Sequence, residues 1–498
     1  MSRFLAYVIL AQIDLRENGV AVDQGLAFAS AHKLRQLIVR KEISPVDLTH
    51  QYLSRIDALN PRLGAFLTVC AEEALRDARD AEIAVMRGRE LGPLHGIPTS
   101  IKDLMPTKDI RTTKGSLVYK DWMPDEDDLV VQRTRNAGAI ILGKTNTPEF
   151  GQGGGVTENR LGDYCRNPWN PAMVSGASSG GAAVSVASGM NPIAHGTDGA
   201  GSIRLPASFC NIYGIMGTMG RVPRRNTSLI SWNPVNFSQD GPLTRTVRDA
   251  ALYLQVMAGP DEKAQKVGTI QEPPPDFSSN LEKGVKGLRM GWSPDLGSVA
   301  VDPEGTRLVE MAVRVFEELG ATVEPAPFEI GINRLSNVLG RLVGPIDFIN
   351  YGNLLEDYAC QLMPYLREGI ERGSRIPAYQ YALALAELEQ YRGYVDNFFR
   401  SYDLLLTPTL ATTPFECGQR PKVIGGREVE EMWGFYAPLF PFNMSGNPAA
   451  SVPCGFSAEK LPVGMQIVGR KFDEITVLQA SAAFEEACPW AHLRPSVS

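Results

Sequence analysis

With 498 residues, 44% of them hydrophobic and 21% charged, the chain can bury a large core, and its composition excludes wholesale disorder. Its 49 Lys+Arg stand against 56 Asp+Glu, a net charge of −7. This mildly acidic balance repels phosphate backbones and argues against a nucleic-acid partner.

Seven scattered cysteines without a CxxC pair argue against a disulfide framework or a zinc site and fit a reducing, cytoplasmic setting. No apolar run approaches the ~20 residues of a membrane span, so no membrane partner is expected. Residues 1–11 couple one Arg to a short apolar stretch, but Asp14, Arg16 and Glu17 follow and no cleavage site is evident. They read as an N-terminal helix or strand rather than a signal peptide.

The N-terminal part, 1–85, reads as helical. Residues 26–58 form two helices, the second opened by Ser44 as cap and Pro45 at its first position, with Leu48, Tyr52, Leu53 and Ile56 on one face. Residues 72–86 give a further helix. From about 96 to 260 short apolar runs alternate with Gly/Pro turns and helical stretches, the pattern of an α/β layered core. Residues 153–220 are rich in small residues, which let backbone approach backbone or substrate. Residues 271–275 (Gln-Glu-Pro-Pro-Pro) are the linker candidate. Residues 330–400 read as a helical insertion over the site, and Leu404–Pro408 returns to a buried strand. Tyr351, Tyr358, Tyr365, Trp433, Phe435 and Tyr436 are aromatic candidates, about a third of them expected to line a pocket.

Three motifs compete for the chemistry. Gly138-Ala139-Ile140-Ile141-Leu142-Gly143-Lys144-Thr145 matches a P-loop pattern. Its interior is Ala-Ile-Ile-Leu, however, which favours a buried strand whose N–H groups cannot cradle phosphate. Gly176-Ala177-Ser178-Ser179-Gly180 matches the nucleophile elbow G-x-S-x-G, but two prolines precede it. Of five histidines only His195, inside a strand-like run, and His492, near the C-terminus, follow it. Gly196-Thr197-Asp198-Gly199-Ala200-Gly201-Ser202-Ile203-Arg204 places a serine after a backbone with little bulk, at a strand–loop–helix junction whose N–H groups can converge on an oxyanion. Alone, that stretch is better read as a tight turn with Ser202 as helix cap.

Amide hydrolysis requires a nucleophile, a proton acceptor and a donor to the leaving nitrogen. No histidine is well placed. A lysine serves if desolvation lowers its pKa, and Lys102 ends the apolar run 97–101. Its neighbour Asp103 opposes neutrality unless it points away.

Together the motifs resemble the amidase signature family. Gly96-Ile97-Pro98-Thr99-Ser100-Ile101-Lys102-Asp103 resembles that family's G-x-P-x-x-x-K-D, residues 176–181 its G-G-S-S-G-G, and residues 196–204 its G-x-D-x-G-G-S-I-R. The two serines stand 24 positions apart, as in the family. The likeness extends through residues 143–146, 166–171, 447–453 and 461–469 and is weakest over 270–400.

The resemblance implies one domain over 1–498, an α/β/α sandwich around a large mixed β-sheet. It implies a Ser–cisSer–Lys triad: Ser202 attacks, Ser178, after a cis peptide, relays the proton, and Lys102 accepts it. It also implies an oxyanion hole at the N–H groups of Gly199, Ala200, Gly201 and Ser202, with Ser179, Asp198 and Arg204 as supports. Neither metal nor cofactor is implied. The expected substrate is a small aryl or alkyl amide, handled by a lone or homodimeric enzyme. A carbamate or ester hydrolase, and a glutamine amidotransferase subunit of a tRNA-dependent complex, are the alternatives. Ala177 and Ala200 depart from glycines common in the family, and Ile215-Met216-Gly217-Thr218 from its L-K-P-T. None of these replaces a triad side chain.

Overall fold

In the computed structural model the described residues are 24–225, 236–264 and 268–498; the N-terminal segment 1–11 lies outside them. In chain order the strands are β1 (Phe66–Val69), β2 (Pro98–Lys102), β3 (Ile140–Thr145), β4 (Ile193–Asp198), β5 (Tyr213–Met216), β6 (Gln239–Thr244), β7 (Arg289–Trp292), β8 (Thr322–Pro325), β9 (Leu404–Pro408), β10 (Val423–Ile424), β11 (Arg427–Glu428), β12 (Ala449–Phe456) and β13 (Pro462–Gly469). Eleven of them form one mixed sheet in the order β1-β3-β2-β4-β6-β5-β12-β13-β9-β7-β8. β2 runs parallel to both β3 and β4, and β7 parallel to β8 and β9. β10 and β11 form a separate hairpin.

Alternation along the strands divides the core in two, because successive side chains leave opposite faces. Leu404 and Leu406 enter one apolar cluster and Leu405 the other; Ile215 and Met216 part in the same way, as do Ile467 and Val468. The first cluster takes the helices Ala31–Val39, Pro45–Leu63, Ala71–Met86 and Val247–Met257. The second takes Arg204–Phe209 and the insertion. The result is a sheet sandwiched between helical layers.

Local expectations map onto elements. Ser44 accepts from the N–H groups of Val46 and Asp47, and Pro45 opens the helix Pro45–Leu63. The 271–275 run is irregular surface chain that joins two stretches of one continuous sheet. The insertion comprises the helices Ile332–Tyr351, Leu354–Asp357, Pro364–Gly373 and Ala378–Phe398. Two of these cross at glycines: a Cβ on Gly373 would lie 2.0 Å from the Gly344 carbonyl oxygen. A small cluster of Phe150, Leu354, Leu362, Leu366 and Ile370 ties the insertion to the loop after β3.

The P-loop pattern is strand β3, paired with β1 on one side and β2 on the other, so its backbone N–H groups are committed to the sheet. All seven cysteines are free. Among the described residues no helix is long and apolar enough to cross a membrane.

Candidate active site

Three chain segments meet at the C-terminal ends of β2 and β4, where open α/β sheets commonly place their sites. β2 ends in Lys102, whose side chain is fully buried. Its Nζ lies 2.6 Å from Ser178 Oγ, 3.0 Å from Ser179 Oγ and 2.8 Å from Thr197 Oγ1. These neighbours are hydroxyls, not carboxylates. Asp103 points elsewhere, as the alternation of a strand requires: its carboxylate accepts from the N–H and hydroxyl of Thr113 and lies 3.9 Å from Lys144 Nζ. Burial therefore dominates at Lys102 and holds its pKa well below the usual lysine value; Asp198 opposes that shift only in part.

Ser178 follows a cis peptide from Ala177 and is buried; the helix Gly180–Ala187 follows. Ser179 binds the segments together. Its N–H donates to the Ser202 carbonyl at 3.1 Å, and its hydroxyl donates to the Thr197 carbonyl and accepts from the Thr197 N–H.

β4 ends at Asp198 and leads into the turn that carries Ser202. Between Ile193 and Cys210 only Gly199, Ala200 and Ser202 are not buried. The wall of the site therefore opens at the nucleophile candidate and at two of the expected oxyanion donors. Gly201 has φ +113°, and a Cβ there would fall 2.3 Å from Leu439 Cδ1; conformation and space both require glycine. Ala200 has no positive φ. One expected donor needs correction: the Gly201 N–H is already committed to Asp198 Oδ1 at 2.6 Å. The turn is anchored by its own carboxylate there, which leaves Gly199, Ala200 and Ser202 as candidates.

Asp198 is held in turn by Arg204. Both are fully buried, with Nε to Oδ2 at 2.9 Å and Nη2 to Oδ1 at 3.0 Å. Arg204 also donates to Gln466 Oε1 at 2.5 Å and Asn443 Oδ1 at 2.6 Å, and Asn443 Nδ2 donates to Asp198 Oδ1 at 2.9 Å. Arg204 and its partners keep the Asp198 carboxyl below the usual carboxylate range despite burial. Thr197, Asn443 and Gln466 escaped the sequence reading. Thr197 and Gln466 lie within the motifs but their sequence shows no role for them, and no local pattern marks Asn443.

The elbow reading lacks its histidine. His195 is buried against Asp240, at 2.9 Å, which also binds Arg224; His492 is exposed. The partner of Ser178 is a lysine. Among the described residues no cluster of three or more His, Cys, Asp or Glu could hold a metal ion. Of the six aromatic candidates, Tyr351 reaches the loop beside the site, stacking on Phe150 at 4.4 Å. Phe435 is fully buried, Trp433 and Tyr436 pack edge-on against Phe440 and Phe435, and Tyr358 is exposed.

A family model described as Amidase matches residues 47–478. The chain is 36% identical to an acylamidase of Rhodococcus erythropolis, over 96% of this chain and 99% of that one. It is 37% identical to a glutamyl-tRNA(Gln) amidotransferase subunit of Moorella thermoacetica, over 95% and 99%. The crystal structure of a bacterial aryl acylamidase of the amidase signature enzymes superposes with a TM-score of 0.88 at 32% identity, covering 93% of this chain and 97% of that one.

Proposed function

This chain belongs to the amidase signature family, whose members act on amide C–N bonds, and on that premise we propose that it is a hydrolase of small aryl or alkyl amides working through an acyl-enzyme on Ser202. The observation that carries this reading is the buried, carboxylate-free contact between Lys102 and Ser178.

Full burial without a carboxylate in contact supports a neutral amine at Lys102. Ser179 spends its hydroxyl proton on the Thr197 carbonyl, so toward Lys102 it accepts. A free amine has two N–H donors and one lone pair. As the free amine Lys102 can donate to Ser179 Oγ and Thr197 Oγ1 and receive the Ser178 proton on its lone pair across the 2.6 Å Nζ–Oγ contact. Ser178 then gives its proton to Lys102 and takes the proton of Ser202 as Ser202 attacks the carbonyl. The Lys102–Ser178 link is present in the structure; the Ser178–Ser202 transfer is the step we add. The N–H groups of Gly199, Ala200 and Ser202 receive the oxyanion. The protonated lysine returns its proton through Ser178 to the leaving nitrogen, and water then attacks the acyl-enzyme with the same groups reversing roles. Carbamates and esters fit the same sequence of steps.

Similarity to the amidotransferase relatives supports a second reading, glutamine hydrolysis within a tRNA-dependent complex. Co-purifying partner chains favour it, and turnover of anilides by the lone chain counts against it. The first test is Ser202→Ala, assayed on a panel of anilides, esters and carbamates and with a fluorophosphonate label. Turnover is expected to fall by at least about 10^3-fold and labelling to vanish. Labelling that survives in Ser202→Ala and disappears in Ser178→Ala would move the nucleophile to Ser178.

A further inference from the structure

The loop after β3 passes directly beside the site. A Cβ on Gly151 would lie 3.5 Å from Ser178 Oγ. The next residue, Gln152, donates from Nε2 to Asp347 Oδ1 at 2.8 Å. Asp347 sits in the insertion helix Ile332–Tyr351, one turn before Tyr351, which stacks on Phe150. Residues four apart share a helix face, so Asp347 and Tyr351 together lie on Phe150 and Gln152. The crossing at Gly344 and Gly373 fixes the helix at this height.

The carboxylate is unusual in its company. Val343 and Ile346, beside it on the helix, pack into the apolar cluster. Asp347 is half-buried, and its Oδ2 has no hydrogen-bond partner among the described residues. No Lys, Arg or His among the described residues pairs with it. Its ionisable neighbour is Tyr351, whose phenol burial and Asp347 push up; Glu149, on the loop that carries Gln152, is taken by Ser116 and the Met363 N–H. Two arginines of its own helix, Arg334 and Arg341, are spent on Glu387 of the neighbouring helix Ala378–Phe398. A carboxylate without a counter-ion in apolar surroundings is costly unless something pairs with it.

We propose that Asp347 is a specificity-determining residue that pairs with a cationic nitrogen on the substrate arm lying over Gly151, so that amides carrying a basic amine are preferred. The proposal deepens the reading of the same site as an amidase. Burial lifts the Asp347 pKa to about 7, and an alkylammonium stays charged well above that. The preference therefore grows as pH rises through neutrality.

The test uses two pairs of anilides, each pair differing only by an ammonium against a methyl group, one pair on the acyl chain and one on the aniline ring. In the wild-type protein one pair shows an ammonium-to-methyl ratio of kcat/KM of about tenfold or more. Asp347→Asn collapses that ratio and its pH dependence, and Asp347→Glu retains it. Equal ratios in wild type and Asp347→Asn for both pairs overturn the proposal while leaving the amidase reading intact. A wild-type chain silent on all four anilides defeats the amidase reading, and this proposal with it.

Discussion

Two lysines stand at or next to the last residue of neighbouring parallel strands, and both are fully buried, yet the molecule treats them oppositely. Lys102 pairs in register with Thr145 and Lys144 with Ile101, so their side chains leave opposite faces of the sheet. Lys144 meets Asp103 at 3.9 Å, Thr107 and Thr112 each at 2.8 Å, and the Met105 carbonyl. Burial draws its pKa down to about 8 and Asp103 resists, so it stays mostly protonated at neutral pH. Lys102 meets hydroxyls, and burial holds its pKa well below the usual lysine value. The residue type and the burial are the same; the carboxylate beside Lys144 makes that amine a structural cation, and its absence beside Lys102 is what fits Lys102 to the base of the proposed mechanism. The acid next to Lys102 in sequence serves Lys144 in space.

The strongest way to break this contrast is to remove each amine. Lys102→Met is expected to fold and to lose at least about 10^3-fold in kcat. Lys144→Met leaves Asp103 buried without its cation and is expected to lose about 3–5 kcal/mol of stability, while the molecules that remain folded keep a kcat close to wild type. Denaturant melts and kinetics on the same preparations separate the two. A Lys144 variant that folds normally but is inactive would erase the distinction.

The pH profile sharpens it. A general base works only when deprotonated, so kcat/KM for a neutral anilide is expected to rise with pH through the lowered Lys102 pKa and then level off. The activity is present above that pKa and lost as pH falls through it. A rise delayed until the ordinary lysine range near 10.4 would show that Lys102 is not the neutral amine described above.

Much of the candidate site was legible because its residues sit in short runs. Lys102 closes an apolar strand, Ser178 lies between small residues, and Ser202 follows a strand and two glycines with one alanine between them. Each is a local pattern, and the resemblance supplied their order. What escaped is what only the tertiary fold brings near. Asn443 supports Asp198 from 245 positions away, and Asp347 reaches Gln152 from 195 positions away. The orientation of Asp103 follows from strand alternation, but its partner on β3 does not. The commitment of the Gly201 N–H to Asp198 was equally hidden, since a glycine in a turn shows nothing of what its amide faces.

The smallest effect concerns Ala200, where the family commonly has glycine. Its backbone has no positive φ, so the methyl costs no conformational strain, and the N–H remains for the oxyanion. The methyl instead packs beside the second apolar cluster. Ala200→Gly is therefore expected to lose about 0.5–1 kcal/mol of stability, mainly through the freer unfolded chain, and to change kcat/KM by less than about threefold, because the donor itself is retained. Denaturant midpoints and steady-state kinetics measure both quantities. A tenfold gain in kcat/KM would instead show the methyl crowding the oxyanion, and would make Ala200 a residue that trades rate for packing.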